Sequence, residues 1–130
     1  MTDLKVPVSP GELLDKITIL RIKAARIGDA GKLANVRHEL ALLERTWRES
    51  PYASGKDVAA QVAALEAVNG RLWNIEDDIR DKEREHAFDE RFIELARSVY
   101  IENDERAHLK RAINDLLESA IVEEKSYRKY

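Results

Sequence analysis

The sequence contains no cysteine. This absence excludes disulfides, thiolate metal sites and thiol catalysis, and it fits a reducing compartment. Only five glycines and three prolines occur in 130 residues, which leaves little of the turn chemistry that a β protein needs. No apolar run approaches the roughly 20 residues that cross a bilayer. The N-terminus also lacks the basic start and apolar core of a signal peptide. We therefore expect a cytoplasmic protein that does not bind membranes.

The charged side chains are numerous but evenly mixed. Twenty-two basic and 25 acidic residues give a net charge of −3, and no basic block or arm stands out. Binding to nucleic acid is therefore not expected. The three histidines, His38, His86 and His108, are scattered without the spacing of helical metal ligands. The sequence also has no phosphate-binding glycine loop. We predict neither a metal site nor a cofactor.

The hydrophobic pattern predicts an all-α fold. Apolar residues recur at steps of three and four in four segments. We predict helices at about 10–27, 29–48, 56–85 and 89–124. Ser9, Asp29 and Asp89 are expected to cap the starts of the first, second and fourth helices, and Ser54 that of the third. Gly28 is expected to end the first helix in the left-handed conformation. Short connections favour an antiparallel bundle of four helices, two shorter ones followed by two long ones.

The length suggests a single domain over residues 1–130. Within it we predict an extended arm at 1–8, a linker between the helix pairs at 49–55 and a frayed tail at 125–130. Pro51 and Gly55 break the helical periodicity in the linker. Apolar residues on a second face of the first helix, such as Ile19 and Ile22, suggest a homodimer.

A polar seam follows the apolar sectors of the third and fourth helices. At about 100° per residue, positions seven, eleven and fourteen apart remain on one side of a helix. The third helix contributes Asn69, Glu76, Arg80 and Glu83, and the fourth contributes Asn103, Arg106, Lys110 and Asn114. Folding the chain at residues 86–88 brings Asn69 near Arg106, with Trp73 and Tyr100 beside them. Two polar sets, found independently, are therefore expected at one level of the bundle.

The seam has two interpretations. As a structural network, Glu76 and Glu83 would neutralise Arg80 and Arg106 and fix the helix register or a dimer. As a pocket, its three cations would exceed its two carboxylates and favour a small anionic ligand. The predicted ligand-binding residues are Asn69, Trp73, Glu76, Arg80, Tyr100, Asn103, Arg106 and Lys110. Asp15 and Arg26 of the first helix could close this pocket.

A binding or interaction module is our leading hypothesis for function. The alternative is a small all-α enzyme that acts on a sugar phosphate, nucleotide or carboxylate, with Glu76 as the candidate acid–base residue. Acidic helical clusters also bind Mg²⁺ in all-α nucleotide pyrophosphohydrolases, but here basic and amide residues interrupt the carboxylates. A third hypothesis is a structural dimer whose seam only specifies assembly.

Four stretches of the sequence resemble a known family. They are Val6–Leu20, Leu72–Arg80, Phe92–Asn114 and Glu123–Tyr127. Together they resemble a family of small bacterial and phage proteins that is catalogued only as a domain of unknown function. The resemblance covers nearly the whole chain and implies a stand-alone domain. It implies no activity and transfers no catalytic residue.

Overall fold

The computed structural model describes residues 2–130, which form four α-helices. The helices are α1 (Pro10–Arg26), α2 (Ala30–Glu49), α3 (Ala59–Arg84) and α4 (Glu90–Leu116), and a 3₁₀ turn at Pro51–Ser54 follows α2. The structure is 73% helical, and residues 2–130 contain no strand. The all-α, four-helix bundle predicted from the sequence is confirmed.

Polar side chains cap most of the helix starts as predicted. Ser9, Asp29 and Asp89 each accept a hydrogen bond, 2.9 to 3.1 Å long, from the backbone N–H three residues ahead. These bonds satisfy donors that have no partner inside the helix. The start of α3 differs, because Asp57 accepts from the N–H two residues ahead at 2.9 Å. The prediction that Ser54 caps this helix is wrong, since Ser54 belongs to the 3₁₀ turn.

The end of α4 lies earlier than the sequence predicts. The helix ends at Leu116 rather than near residue 124. Glu118 adopts a left-handed conformation with a φ of 54°, and the Ser119 N–H donates to the Asn114 carbonyl at 2.9 Å. This bond closes the last turn of the helix, and Glu118 takes the left-handed position that a glycine usually occupies at a helix C-terminus. Residues 119–130 therefore form an irregular tail.

The other left-handed residue is also not a glycine. His86, with a φ of 53°, lies two residues beyond the end of α3 at Arg84. Among the residues that the structure describes, no glycine has a positive φ. The prediction of a left-handed Gly28 is wrong, because α1 ends at Arg26, the next residue Ile27 is extended, and Gly28 does not have a positive φ.

The central helix of the bundle is α1. Its core residues pack with side chains from α3, α4 and the segments beside them. The buried apolar cluster comprises Leu13, Leu14, Ile17, Val58, Leu65, Ile113 and Leu117. α2 packs against α1 and has no fully buried residue. Since α1 lies against both α3 and α4, any polar residue on its inner side meets the seam of those two helices.

Glycine makes the approach of α1 to α4 possible. The Gly11 N–H donates to the Asn114 Oδ1 at 2.7 Å. A Cβ on Gly11 would lie only 2.5 Å from the Lys110 carbonyl oxygen. The two helices are antiparallel, because Gly11 contacts Asn114 and Asp15, farther along α1, contacts Arg106. None of the helices within residues 2–130 combines the length and apolar surface that crossing a bilayer requires.

Candidate functional site

A buried carboxylate of α1 accepts hydrogen bonds from the seam residues of both α3 and α4. Asp15 of α1 accepts from the Arg106 Nε at 2.9 Å through Oδ1 and from the Arg106 Nη2 at 2.5 Å through Oδ2. Asn69 Nδ2 donates to the same Oδ1 at 2.9 Å and to the Thr18 hydroxyl at 3.0 Å. Thr18 in turn donates to the Asp15 carbonyl at 2.7 Å. We call these four residues the Asp15 network.

Burial and charged partners shift the pKa values of Asp15 and Arg106 in opposite directions. Burial alone would raise the pKa of Asp15, but hydrogen bonds from Arg106 and Asn69 and the charges of Arg106 and Lys110 outweigh it, so the pKa lies below 3.8. The hydrogen bond to Asp15 raises the pKa of Arg106 above its ordinary value, although burial opposes the shift. Both groups are therefore charged at neutral pH.

The ion pair with Asp15 uses only some of the hydrogen-bond donors of the Arg106 guanidinium. Asp15 engages Nε and Nη2, whereas Nη1 has no hydrogen-bond partner among residues 2–130. The Arg106 side chain is 31% exposed and lines two adjacent grooves. A guanidinium fixed along one edge can still donate along the other, which suits a carboxylate or phosphate ligand.

The larger of the two grooves lies between α4 and the irregular tail, and we call it the tail groove. Its volume is about 720 Å³. Its charged and aromatic lining consists of Tyr100, Asp104, Arg106, Lys110, Lys125, Tyr127, Arg128 and Tyr130. Lys125 holds the tail against α4 through Asp104 at 2.5 Å, and the Tyr130 ring lies 5.0 Å from the Tyr100 ring. The side chains of the wall therefore include four cations and one carboxylate.

Carboxylates behind the wall partly balance these cations. Lys110 Nζ lies 2.5 Å from a Glu12 oxygen and 3.8 Å from a Glu123 oxygen. Neither Glu12 nor Glu123 lines the groove. Arg128 has no ion-pair partner in the part of the chain that the structure describes. An anion in the groove would therefore meet the cations directly and the balancing carboxylates only at longer range.

The second groove lies between α1, α3 and α4, and we call it the seam groove. Its volume is about 470 Å³. Its lining includes Asn69, Trp73, Glu76, Arg80, Asn103 and Arg106. Arg80 pairs with Glu76 at 3.1 Å, and both side chains are exposed. Lys23 and Asp77 complete its charged wall.

The comparisons with known proteins identify a family. The sequence matches the Family of unknown function (DUF6165) over residues 4–130. The chain belongs to this family. No curated protein and no solved structure matches the sequence. Membership in DUF6165 confirms the resemblance to a family of unknown function.

The eight predicted ligand-binding residues of this DUF6165 protein divide between the two grooves. Six line the seam groove, and four line the tail groove, with Asn103 and Arg106 common to both. Asn69 lies at the level of Arg106 as expected, because both bind the Asp15 Oδ1. The two long helices thus bring the residues into one region, but not into one cavity. That these residues bind a ligand stays a prediction.

Three details of the expected pairing are wrong. Arg106 binds Asp15 rather than Glu76 or Glu83. Glu83 is exposed on α3 and lines neither groove. Arg26 does not close a pocket over the seam but donates to Asn74 at 2.5 Å and lies 5.8 Å from the Trp73 ring. The sequence pattern of α3 and α4 could not reveal that α1 supplies the central carboxylate.

Sequence reasoning missed the contribution of the tail. Lys125, Tyr127, Arg128 and Tyr130 line the tail groove, although residues 125–130 were expected to fray. The signal was the alternation of tyrosines with basic residues at the C-terminus. Within residues 2–130, no three histidine or carboxylate side chains come close enough together to hold a metal ion.

Proposed function

We propose that this DUF6165 protein is a cytoplasmic binding module that holds a small anion in its tail groove. The observation that carries this proposal is the groove wall, in which Arg106, Lys110, Lys125 and Arg128 face a single carboxylate, Asp104. Its volume of about 720 Å³ falls in the range of roughly 300 to 1,000 Å³ that is typical of small-molecule sites.

Arg106 would be the central ligand-binding residue of this site. Asp15 fixes its guanidinium before any ligand arrives, so that little side-chain entropy is lost on binding. The exposed Nη1 and the remaining proton on Nη2 supply donors for an oxyanion. Under this proposal, the structural interpretation of the seam applies to the Arg106 atoms that bind Asp15, and the ligand-binding interpretation applies to the Arg106 atoms that do not. The Asp15 network is structural, and it positions the arginine that would bind the ligand.

The tail groove is a better anion site than the seam groove. In the seam groove, Arg80 is paired with Glu76 at 3.1 Å, and Asp77 adds a second carboxylate to the wall. The cations Lys23, Arg80 and Arg106 therefore face two carboxylates in the wall itself. An anion in that groove would meet repulsion at close range.

The geometry supports binding more than catalysis. Glu76, the candidate acid–base residue, has a side chain that is 51% exposed and pairs with Arg80. A general acid or base must lie within hydrogen-bond reach of the reacting proton, usually in a site that is closed to water. An enzyme that acts on an anionic metabolite remains the alternative hypothesis, with Glu76 as its candidate residue.

A structural role is supported for the Asp15 network itself. Within residues 2–130, no buried side-chain nitrogen or oxygen lacks a hydrogen-bond partner. A fully satisfied polar network can specify helix register.

The predicted homodimer would require an apolar contact surface, and Phe88 and Ile93 are exposed near the turn between α3 and α4. Analytical ultracentrifugation of the full chain tests this assembly.

A thermal-shift titration with inorganic phosphate tests the proposed function. Each phosphate sample is compared with a sodium chloride sample of equal ionic strength, so that the effect of general charge screening is the same in both. Binding to the native state should raise the melting temperature of the wild-type chain. The double substitution Lys125→Gln/Arg128→Gln should greatly reduce that shift, because it removes two of the four cations from the groove wall.

The matched control is Arg48→Gln/Lys56→Gln. It changes the net charge by the same amount, but both residues line a different groove beside α2. The control should retain the phosphate-dependent shift. The single substitution Arg128→Gln, at a residue without an ion pair, tests the charge effect without releasing the tail from Asp104. A wild-type chain that phosphate does not stabilise beyond chloride, or equal losses in both double variants, would contradict the proposal.

A further inference from the structure

We infer that the anion of the tail groove is a nucleoside phosphate, an inference that rests on the proposed function. Three of the four tyrosines in the chain, Tyr100, Tyr127 and Tyr130, line this one groove together with its four cations. A ligand that matches both features combines an anionic group with a planar ring. Nucleoside phosphates are the common metabolites with that combination.

The tyrosine rings are available for stacking. Tyr127 and Tyr130 are 82% and 77% exposed, and Tyr100 is also exposed on α4. The rings of Tyr100 and Tyr130 lie 5.0 Å apart with a tilt of 59°, so they form an aromatic corner rather than a closed stack. A base in this corner would cover apolar ring surface that now faces water.

A bare sugar phosphate fits the groove less well. Sugar hydroxyls need hydrogen-bond acceptors as well as donors. Asp104 carries the only side-chain carboxylate among the lining residues that the structure describes, and it already accepts from Lys125 at 2.5 Å. Asn103 is the only amide in that lining. The groove therefore supplies much aromatic surface and few free acceptors, which favours a base over additional hydroxyl groups.

A single nucleotide fits better than a nucleic-acid strand. A strand would contact more of the surface than the groove itself, and that surface is not uniformly basic, since Glu105 of α4 and Glu124 of the tail are exposed. The whole chain has a net charge of −3, which opposes the sequence-independent attraction that polynucleotide binding requires. One nucleotide would place its phosphate among the lining cations, which include Arg106 and Arg128, and Glu105 and Glu124 are not part of that lining.

Calorimetric titration of the full chain with three probes tests this inference. The probes are adenosine 5′-monophosphate, ribose 5-phosphate and adenosine, each at the same ionic strength. Ribose 5-phosphate retains the phosphate without the base, and adenosine retains the base without the phosphate. The nucleotide should bind at least about 10-fold more tightly than ribose 5-phosphate, because stacking on an aromatic side chain contributes on this order.

The substitution Tyr127→Leu/Tyr130→Leu separates the base from the phosphate. Both residues lie in the irregular tail, so the helices do not depend on them. The variant should lose most of the preference for the nucleotide and keep the affinity for ribose 5-phosphate. Tyr100→Leu on α4 should act in the same direction.

The outcomes distinguish this inference from the proposed function. A nucleotide preference that the tyrosine substitutions remove supports the inference. Equal affinities for the nucleotide and ribose 5-phosphate would overturn it and leave the anion-binding module standing. An oligonucleotide that binds much more tightly than the mononucleotide would also overturn it in favour of a strand. Adenosine binding as tightly as the nucleotide, or no binding of any probe, would overturn the proposed function as well.

Discussion

The substitution Asp15→Asn tests the energetic role of the buried carboxylate most sharply. Asp15 is fully buried and accepts two hydrogen bonds from Arg106 and one from Asn69. An asparagine retains the size of the side chain and one acceptor oxygen. Its amide nitrogen, however, would face the Arg106 Nη2 with a donor where Oδ2 now accepts.

The size of the expected loss in unfolding free energy depends on how exposed Arg106 is. Removing one member of a fully buried ion pair costs about 3 to 5 kcal/mol of unfolding free energy. Arg106 is 31% exposed, so that water can solvate part of the abandoned guanidinium. A hydrogen bond to a charged group contributes about 1.5 to 3 kcal/mol. We therefore expect Asp15→Asn to lower the free energy of unfolding by about 2 to 3 kcal/mol.

Urea denaturation followed by helical circular dichroism measures this loss. The matched control is Glu76→Gln, which also replaces a carboxylate by an amide in an arginine pair, but on the exposed surface of α3. An exposed pair four residues apart on a helix should contribute less than about 0.5 kcal/mol. A loss for Asp15→Asn that is no larger than that of Glu76→Gln would refute the assignment of Asp15 as the organising carboxylate.

Three further predictions concern acid, the α1–α4 contact and the α3 C-terminus. Because the folded pKa of Asp15 lies below 3.8 and its unfolded value is about 3.9, its contribution is present above about pH 4 and is lost as the pH falls through the folded pKa. Urea titrations across this range should therefore show a steeper loss of stability for the wild type than for Asp15→Asn, and parallel losses would contradict this. Gly11→Ala should destabilise the protein by about 1 to 3 kcal/mol, since its Cβ would lie 2.5 Å from the Lys110 carbonyl oxygen; an unchanged urea midpoint would show that α1 can move away freely. His86→Gly should stabilise the protein by up to about 1 kcal/mol, because only a glycine adopts a left-handed φ without a steric cost; thermal melting checks it, and a lower melting temperature would mean that the histidine ring contributes more than its backbone conformation costs.

The fold could be predicted because its determinants are local. Helix starts depend on capping residues a few positions away, and Ser9, Asp29 and Asp89 were identified from sequence alone. The level at which Asn69 meets Arg106 followed from helix periodicity and one turn position. The end of α4 could not be predicted, since Glu118 takes a left-handed conformation that glycine usually occupies.

The candidate site was only half predictable for a physical reason. Periodicity places residues on a helix face, but it does not say which other helix covers that face. The pairing of Arg106 with Asp15 depends on the close approach of α1, which Gly11 permits through tertiary contacts. The return of Lys125 to Asp104 depends on where α4 stops. Both features required the three-dimensional arrangement.

Backbone amide NMR of the full chain titrated with inorganic phosphate tests the central claim most directly. The measurement reports where an anion binds, independently of any substitution. Phosphate should shift the amide signals of residues lining the tail groove, notably Tyr100, Asn103, Lys125 and Arg128. Sodium chloride at equal ionic strength should not reproduce these shifts. Shifts concentrated elsewhere, or a spectrum that phosphate leaves unchanged, would contradict an anion site between α4 and the tail.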